Sequence, residues 1–138
     1  MRKNTSLYRR TPRKFSSERL DCSVRALSVA TGRPYEVVHA ELARQGRQNG
    51  KHTLWTALVR AAGNLGLARL AYVVGECGEY GAKGAAKLLT LTQFVRDHRR
   101  GRYLLNMRTH SFALIDGVVH DWKNGAGARS RIKSAWRV

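Results

Sequence analysis

Read from its amino terminus, the chain begins without any hydrophobic rhythm. Residues 1–19 carry Arg2, Lys3, Arg9, Arg10, Arg13, Lys14 and Arg19 against Glu18 alone. Such a stretch predicts a basic arm, either disordered or strapped over the domain and suited to phosphates, or a plain solvated tail. The rhythm starts at Asp21. Cys22, Ala26, Val29 and Ala30 recur at helical spacing with Leu27 beside them. That pattern predicts a helix over 21–31, with Asp21 as N-cap and Gly32 as its stop. Pro34 suits the first turn of a second helix running to Gln45, with Tyr35, Val38 and Leu42 on one face and Gly46 ending it. Thr53 then predicts the cap of a third helix through Trp55, Leu58, Val59 and Ala62, broken at Gly63 and Gly66.

The period changes after Gly66. Residues 67–74 (LARLAYVV) read as a strand. Gly75, Gly78, Gly81 and Gly84 follow at a spacing of three, without the Lys-Ser/Thr of a nucleotide-binding loop, and predict a mobile loop. Residues 92–100 predict a short helix whose closing His98-Arg99-Arg100 suits its C-terminus. Three short apolar runs, 103–107, 110–115 and 118–122, predict antiparallel strands, with Asp116-Gly117 as a two-residue hairpin turn between the last two. Residues 123–138 carry Lys123, Arg129, Arg131, Lys133 and Arg137 and predict a second basic tail. The expected class is therefore α+β: a domain over 20–122, helices first and an antiparallel sheet last, between two basic ends.

Composition adds one strong constraint. Among 138 residues, 26 Lys and Arg oppose nine Asp and Glu, for a formal charge of +17. Like charge at that density opposes compaction unless a polyanion or an acidic protein neutralises it. DNA or RNA, or an acidic protein surface, is the partner this predicts. Arg9, Arg10, Arg13, Lys14, Arg99, Arg100, Arg102, Arg131 and Lys133 are the candidate contacts. No helix-turn-helix, zinc finger or stacking motif points to sequence-specific reading, and a soluble basic surface without a dedicated ligand is the competing interpretation. No run of eighteen apolar residues predicts a membrane span, and the basic start has no apolar stretch behind it to make a signal peptide. Without an export signal Cys22 and Cys77 are expected as free thiols. No CxxC or tight His/Cys cluster occurs, so neither a metal nor a cofactor is expected.

The candidate chemistry lies in an ordered set. Cys22 falls in the first turn of its helix, where unpaired amide N–H groups and the positive dipole end both favour a thiolate. Its own N–H is placed to serve as an oxyanion donor. Of the histidines, His39 reads as a surface or packing residue, His52 sits in a polar loop, and His98 lies among arginines. His110 opens a strand. If Asp116-Gly117 is a two-residue turn, Ile115 faces Val118 and Phe112 faces Asp121, which brings Asp121 within about two residues of His110 across the ladder. A carboxylate there can hold the imidazole tautomer. His120, adjacent to Asp121, points to the opposite face. Taken alone, Cys22 is equally a small buried helix residue, and Cys77, in the Gly-rich segment with no companion histidine, reads as a bystander.

The run Asp21-Cys22-Ser23-Val24-Arg25-Ala26-Leu27, with Thr31-Gly32 and Tyr35 after it, then Gly101-x-Tyr103, His110 and Asp116-Gly117…Asp121, resembles small papain-fold cysteine peptidases. It is similar to bacteriocin-processing peptidases and more loosely to NlpC/P60-type cell-wall hydrolases, and looks closest to small members carried by bacteriophages. The resemblance spans about residues 18–122. It implies a papain-like fold and hydrolysis of an amide or isopeptide bond in a protein or peptide, with Cys22 as nucleophile, His110 as general base and acid, and Asp121 as orienting residue. It also implies a setting in host cytoplasm or inside a virion. Two positions depart from the pattern. The family places a Gln shortly before the cysteine as second oxyanion donor, where this chain has Ser16, Ser17, Glu18 and Arg19, and Ser23 stands where the processing peptidases have Gly. An incomplete oxyanion hole costs ~10² or more in rate. The alternative is thus a weak or inactive papain-fold protein that binds nucleic acid or an acidic virion or host partner.

Overall fold

Asp116 and Gly117 adopt φ of 46° and 78°, the paired positive values that a two-residue type I′ turn requires and whose twist matches that of the flanking strands. The register follows from it: Ile115 pairs with Val118, Leu114 with Val119 and Ala113 with His120. In the computed structural model, which describes residues 2–9, 15, 18–71, 73, 88–122 and 125–138, this hairpin lies within a six-stranded mixed sheet covered by helices. The described elements are β1 (Lys3–Asn4), α1 (Cys22–Thr31), α2 (Tyr35–Arg44), α3 (Trp55–Asn64), β2 (Ala68–Arg69), α4 (Leu91–Asp97), β3 (Arg102–Asn106), β4 (Ser111–Ile115), β5 (Val118–His120) and β6 (Ser134–Arg137). The class is α+β. Strand order is β1-β5-β4-β3-β6-β2.

Helix α1 lies against β4 and β3 and carries most of the burial that fixes the site. Val24, Ala26, Leu27 and Ala30 are fully buried, and the alanines let the helix approach the sheet closely. Its C-terminus is closed twice over. Gly32, at φ 72°, donates its N–H to the Ser28 carbonyl, and Arg102 on β3 reaches across to the carbonyls of Ala30 (2.7 Å) and Val29 (2.6 Å). A cation among the last carbonyls of a helix is favourable both as a donor and against the dipole. Tyr35, Val38 and Leu42 form the buried face of α2, as their spacing predicts.

Several elements differ from the sequence pattern. The basic end at 123–138 is not a tail throughout: Ser134–Arg137 form β6, an interior strand between β3 and β2, and Trp136 is buried. The amino-terminal arm likewise contributes β1, whose pairing with β5 is parallel, so the sheet is mixed where an antiparallel one was expected. The first predicted strand contracts to Ala68–Arg69 at the sheet edge, and the helix predicted over 92–100 ends at Asp97. That helix starts from a capping box, with Thr90 and Gln93 bonding each other's backbone N–H. The glycine series 75–84 and Cys77 lie outside the described residues.

Tyr8 shows how firmly the arm is held. It is fully buried, and its hydroxyl donates to the Ser111 carbonyl at 2.7 Å and reaches the Cys22 carbonyl at 3.4 Å. The arm is thereby tied to α1 and β4 together. Tyr8→Phe leaves a buried carbonyl short of a donor and is expected to lower stability by about 1–2 kcal/mol. Urea unfolding should report this as a lower midpoint at unchanged slope.

Candidate active site

The chain turns sharply just before α1. Leu20 adopts φ 54°, a left-handed conformation that costs a branched residue roughly 1 kcal/mol. Asp21 occupies the N-cap position but makes no side-chain cap bond. Its Oδ2 instead accepts from Arg25 Nε (2.9 Å) and the Tyr35 hydroxyl (2.8 Å). The expected cap is therefore absent, because two tertiary donors outcompete the local amides. The first-turn N–H groups beside Cys22 are left to whatever occupies the cleft in front of them.

Cys22, partly exposed, opens α1, and its sulfur receives hydrogen bonds from His110, the Ser111 N–H and the Ser23 hydroxyl. Burial alone would raise its pKa, but these donors and the charge of His110 outweigh it, and the thiol lies below its ordinary value. His110 stands immediately before β4, where a tight turn delivers it: Met107 N–H donates to the His110 carbonyl at 2.7 Å. Asn106, its amide nitrogen facing that turn, donates to Ser111 Oγ (2.9 Å) and to the carbonyls of His110 and Met107 (3.1 Å each).

His110 Nε2 lies 2.6 Å from Asp121 Oδ1. That leaves Nδ1 as the ring nitrogen for the thiol. Burial opposes a charged imidazole, but the bonds to Asp121 and Cys22 prevail, and the pKa is raised to about 9. A lowered thiol and a raised imidazole in contact make a thiolate–imidazolium pair.

Asp121 is fully buried, just beyond the last paired residue of β5. Its other oxygen accepts the Ala126 N–H at 2.5 Å. Gly125 presses against the same carboxylate: a Cβ built there would stand 2.2 Å from Oδ2. Lys3 of β1 donates to the Ala126 carbonyl at 3.0 Å and pins this loop. Trp122 packs beside it, edge-on to Tyr8 (5.5 Å), with Arg25 4.2 Å and Arg9 5.0 Å from its ring centre. Tyr8, Asn106, Trp122, Gly125 and Ala126 were not named from sequence. Only Gly125 carried a legible signal, as part of Gly125-Ala126-Gly127 four residues after the acid.

A cleft of about 270 Å³ opens in front of the pair, lined by Cys22, Ser23, His110 and Ser111 on one side and by His52, Thr53, Trp55 and Leu58 on the other. Asn106, Arg108, Thr109 and Lys133 complete it. Thr53 does not cap α3, whose N-cap is Leu54, and its hydroxyl has no partner among the described residues. The other histidines lie apart from the pair. His39 meets Glu18 at 3.1 Å, His98 stacks on Phe94 at 3.9 Å, and buried His120 has its pKa lowered by desolvation and the Arg102 charge.

The expected phosphate contacts do not gather in one place. Arg99 and Arg100 are exposed after α4, Arg131 is exposed and donates to the Leu88 carbonyl, and Lys133 lies at the cleft. Arg9 covers Trp122, and Arg102 is bonded to the carbonyls ending α1. Arg10, Arg13 and Lys14 lie outside the described residues. Among the described residues no three His, Cys, Asp or Glu side chains are grouped to hold a metal, and no helix is long and apolar enough to cross a membrane. No protein-family model, no curated protein and no solved structure matches the chain.

Proposed function

We propose that this protein is a papain-like cysteine hydrolase that cleaves an amide or isopeptide bond. The observation that carries the reading is the continuous chain of hydrogen bonds from Cys22 through His110 to Asp121, with the thiol pKa lowered and the imidazole pKa raised to about 9. A thiolate at neutral pH has little other use in so polar a cleft. The resemblance in the Asp21–Leu27 run and the His110…Asp121 hairpin supports the same conclusion.

The thiolate of Cys22 attacks the carbonyl carbon, and the electron pair moves to the carbonyl oxygen, which the Cys22 N–H can receive. As the carbonyl re-forms, the C–N bond breaks and His110 gives its proton to the leaving amine. Neutral His110 then takes a proton from water, whose hydroxide attacks the thioester. The acid departs and Cys22 returns as thiolate beside protonated His110. Asp121 stays ionised and holds the ring in place throughout. The direct test is the pH dependence of iodoacetamide labelling at Cys22. Labelling that remains fast well below the ordinary thiol pKa of ~8.5 supports the reading, and ordinary thiol behaviour refutes it.

A second role rests on charge. With a formal charge of +17 and exposed Arg2, Arg9, Arg99, Arg100 and Arg131, the protein is expected to retard single- or double-stranded DNA on a native gel at low salt. Affinity should fall linearly with log salt, with a slope close to the number of phosphates neutralised. No retardation even at low salt would refute it.

A further inference from the structure

The cleft in front of Cys22 is chemically one-sided. Trp55 and Leu58 give it an apolar wall, Arg108 stands exposed at its lip, and Lys133 lies beside them with its ammonium 5.3 Å from the centre of the Trp55 ring. Arg69 flanks the same ring from 5.1 Å. Trp55 is itself held in place by Trp136, 5.7 Å away. No Asp or Glu lines the cleft. Asp121, the nearest carboxylate to the reacting pair, is fully buried behind His110 and already bonded to it. A cation brought here would meet Arg108, Lys133 and the charged His110 with nothing to offset them. A carboxylate would meet two donors at the end of an aromatic shelf.

We propose that the cleft selects an acidic peptide, seating a Glu or Asp side chain of the substrate between Arg108 and Lys133 while its backbone lies along Trp55 toward Cys22. This rests on Cys22 being the nucleophile of the preceding reading. A peptide fits better than a nucleic acid because the cations flank a single reacting thiol rather than tracking a repeating backbone. Two point charges at the mouth of a cleft raise the local concentration of an anion and lower that of a cation, an effect that salt weakens.

The test compares two reagents that alkylate the same sulfur, each losing iodide to the thiolate: anionic iodoacetate and neutral iodoacetamide. Their rate ratio at Cys22 is measured in a Cys77→Ser protein at low salt. Arg108→Gln and Lys133→Gln are each expected to lower the ratio about threefold, and the double variant about tenfold. The iodoacetamide rate alone should hardly move. Arg99→Gln with Arg100→Gln, which removes equal charge away from the cleft, should leave the ratio unchanged. A blocked Glu-containing hexapeptide should protect Cys22 from iodoacetamide better than its Gln counterpart.

An unchanged ratio in the double variant, with iodoacetamide labelling still fast at low pH, overturns the acidic-peptide proposal and leaves the nucleophile intact. Slow, ordinary labelling by both reagents removes the nucleophile and the proposal with it. Protection by an oligothymidylate but by neither peptide overturns the proposal in favour of nucleic acid at the same cleft.

Discussion

His110→Ala is expected to slow alkylation of Cys22 by iodoacetamide at pH 6 by a factor on the order of 10². A thiol with the ordinary pKa of ~8.5 is about 0.3% ionised at that pH, so a protein that holds the thiolate has a few-hundredfold advantage to lose. The full factor is not expected, since the Ser111 N–H, the Ser23 hydroxyl and the first turn of α1 still favour the thiolate when the imidazole is gone. The sign follows from the two shifts. Cys22 titrates below its ordinary value, so thiolate persists as the pH falls beneath 8.5, while His110 keeps its proton until about 9. Hydrolysis should therefore rise through the lowered Cys22 pKa and decline near pH 9, where His110 loses the proton the leaving amine needs. Alkylation should show only the rising limb, because it requires the thiolate alone. Equal, ordinary pH profiles with and without His110 would remove the ion pair from the account.

Gly125→Ala should disable the site without touching any reacting group. The added Cβ would stand 2.2 Å from Asp121 Oδ2 and 2.7 Å from its Cγ, closer than real contacts come. Either the carboxylate swings off His110 or the loop withdraws the Ala126 N–H from it. Both loosen the bond that raises the imidazole pKa. The His110 ring, followed by NMR, is expected to titrate lower than about 9 and toward its ordinary 6.5. Turnover should fall by about 10², the size of effect that a displacement near 1 Å produces in a preorganised site. Gly127→Ala is the internal control. A Cβ there meets nothing within 4 Å, so it should leave both readings unchanged. If the two substitutions behave alike, or if Gly125→Ala leaves the His110 titration where it was, the loop has no part in positioning Asp121.

The elements legible in the sequence were those whose causes are local. The apolar spacing from Cys22 to Ala30 gave α1 to within a residue, because a helix facing a sheet must repeat its buried positions every three to four residues. Asp116-Gly117 fixed the β4–β5 register, since only residues that tolerate positive φ close a two-residue turn. From that register Asp121 could be placed near His110 before any coordinates existed. The misread positions share a different cause. Asp21 and Thr53 both look like caps, yet Asp21 bonds Arg25 and Tyr35, and Thr53 lies one residue outside the cap of α3. A capping side chain has several partners within reach, and local sequence does not rank them.

Charge concealed the two remaining strands. Lys3–Asn4 and Ser134–Arg137 lie in basic stretches, and a run of cations reads as solvated chain. In the sheet their backbones pair while the side chains divide by face, with Trp136 buried and Arg137 exposed. A strand of two to four residues holds too few alternations to announce itself; its stability comes from partners more than a hundred residues away for β1. By itself the sequence determined the helix that carries Cys22, the hairpin that carries His110 toward Asp121, and the excess of positive charge, because each is set by spacing or composition. Only the tertiary structure decided that the basic ends close the sheet, that Tyr8 and the Gly125-Ala126 loop brace the site, and which cations border the cleft. Those contacts are made between segments far apart in the chain, and nothing in either segment alone specifies the other.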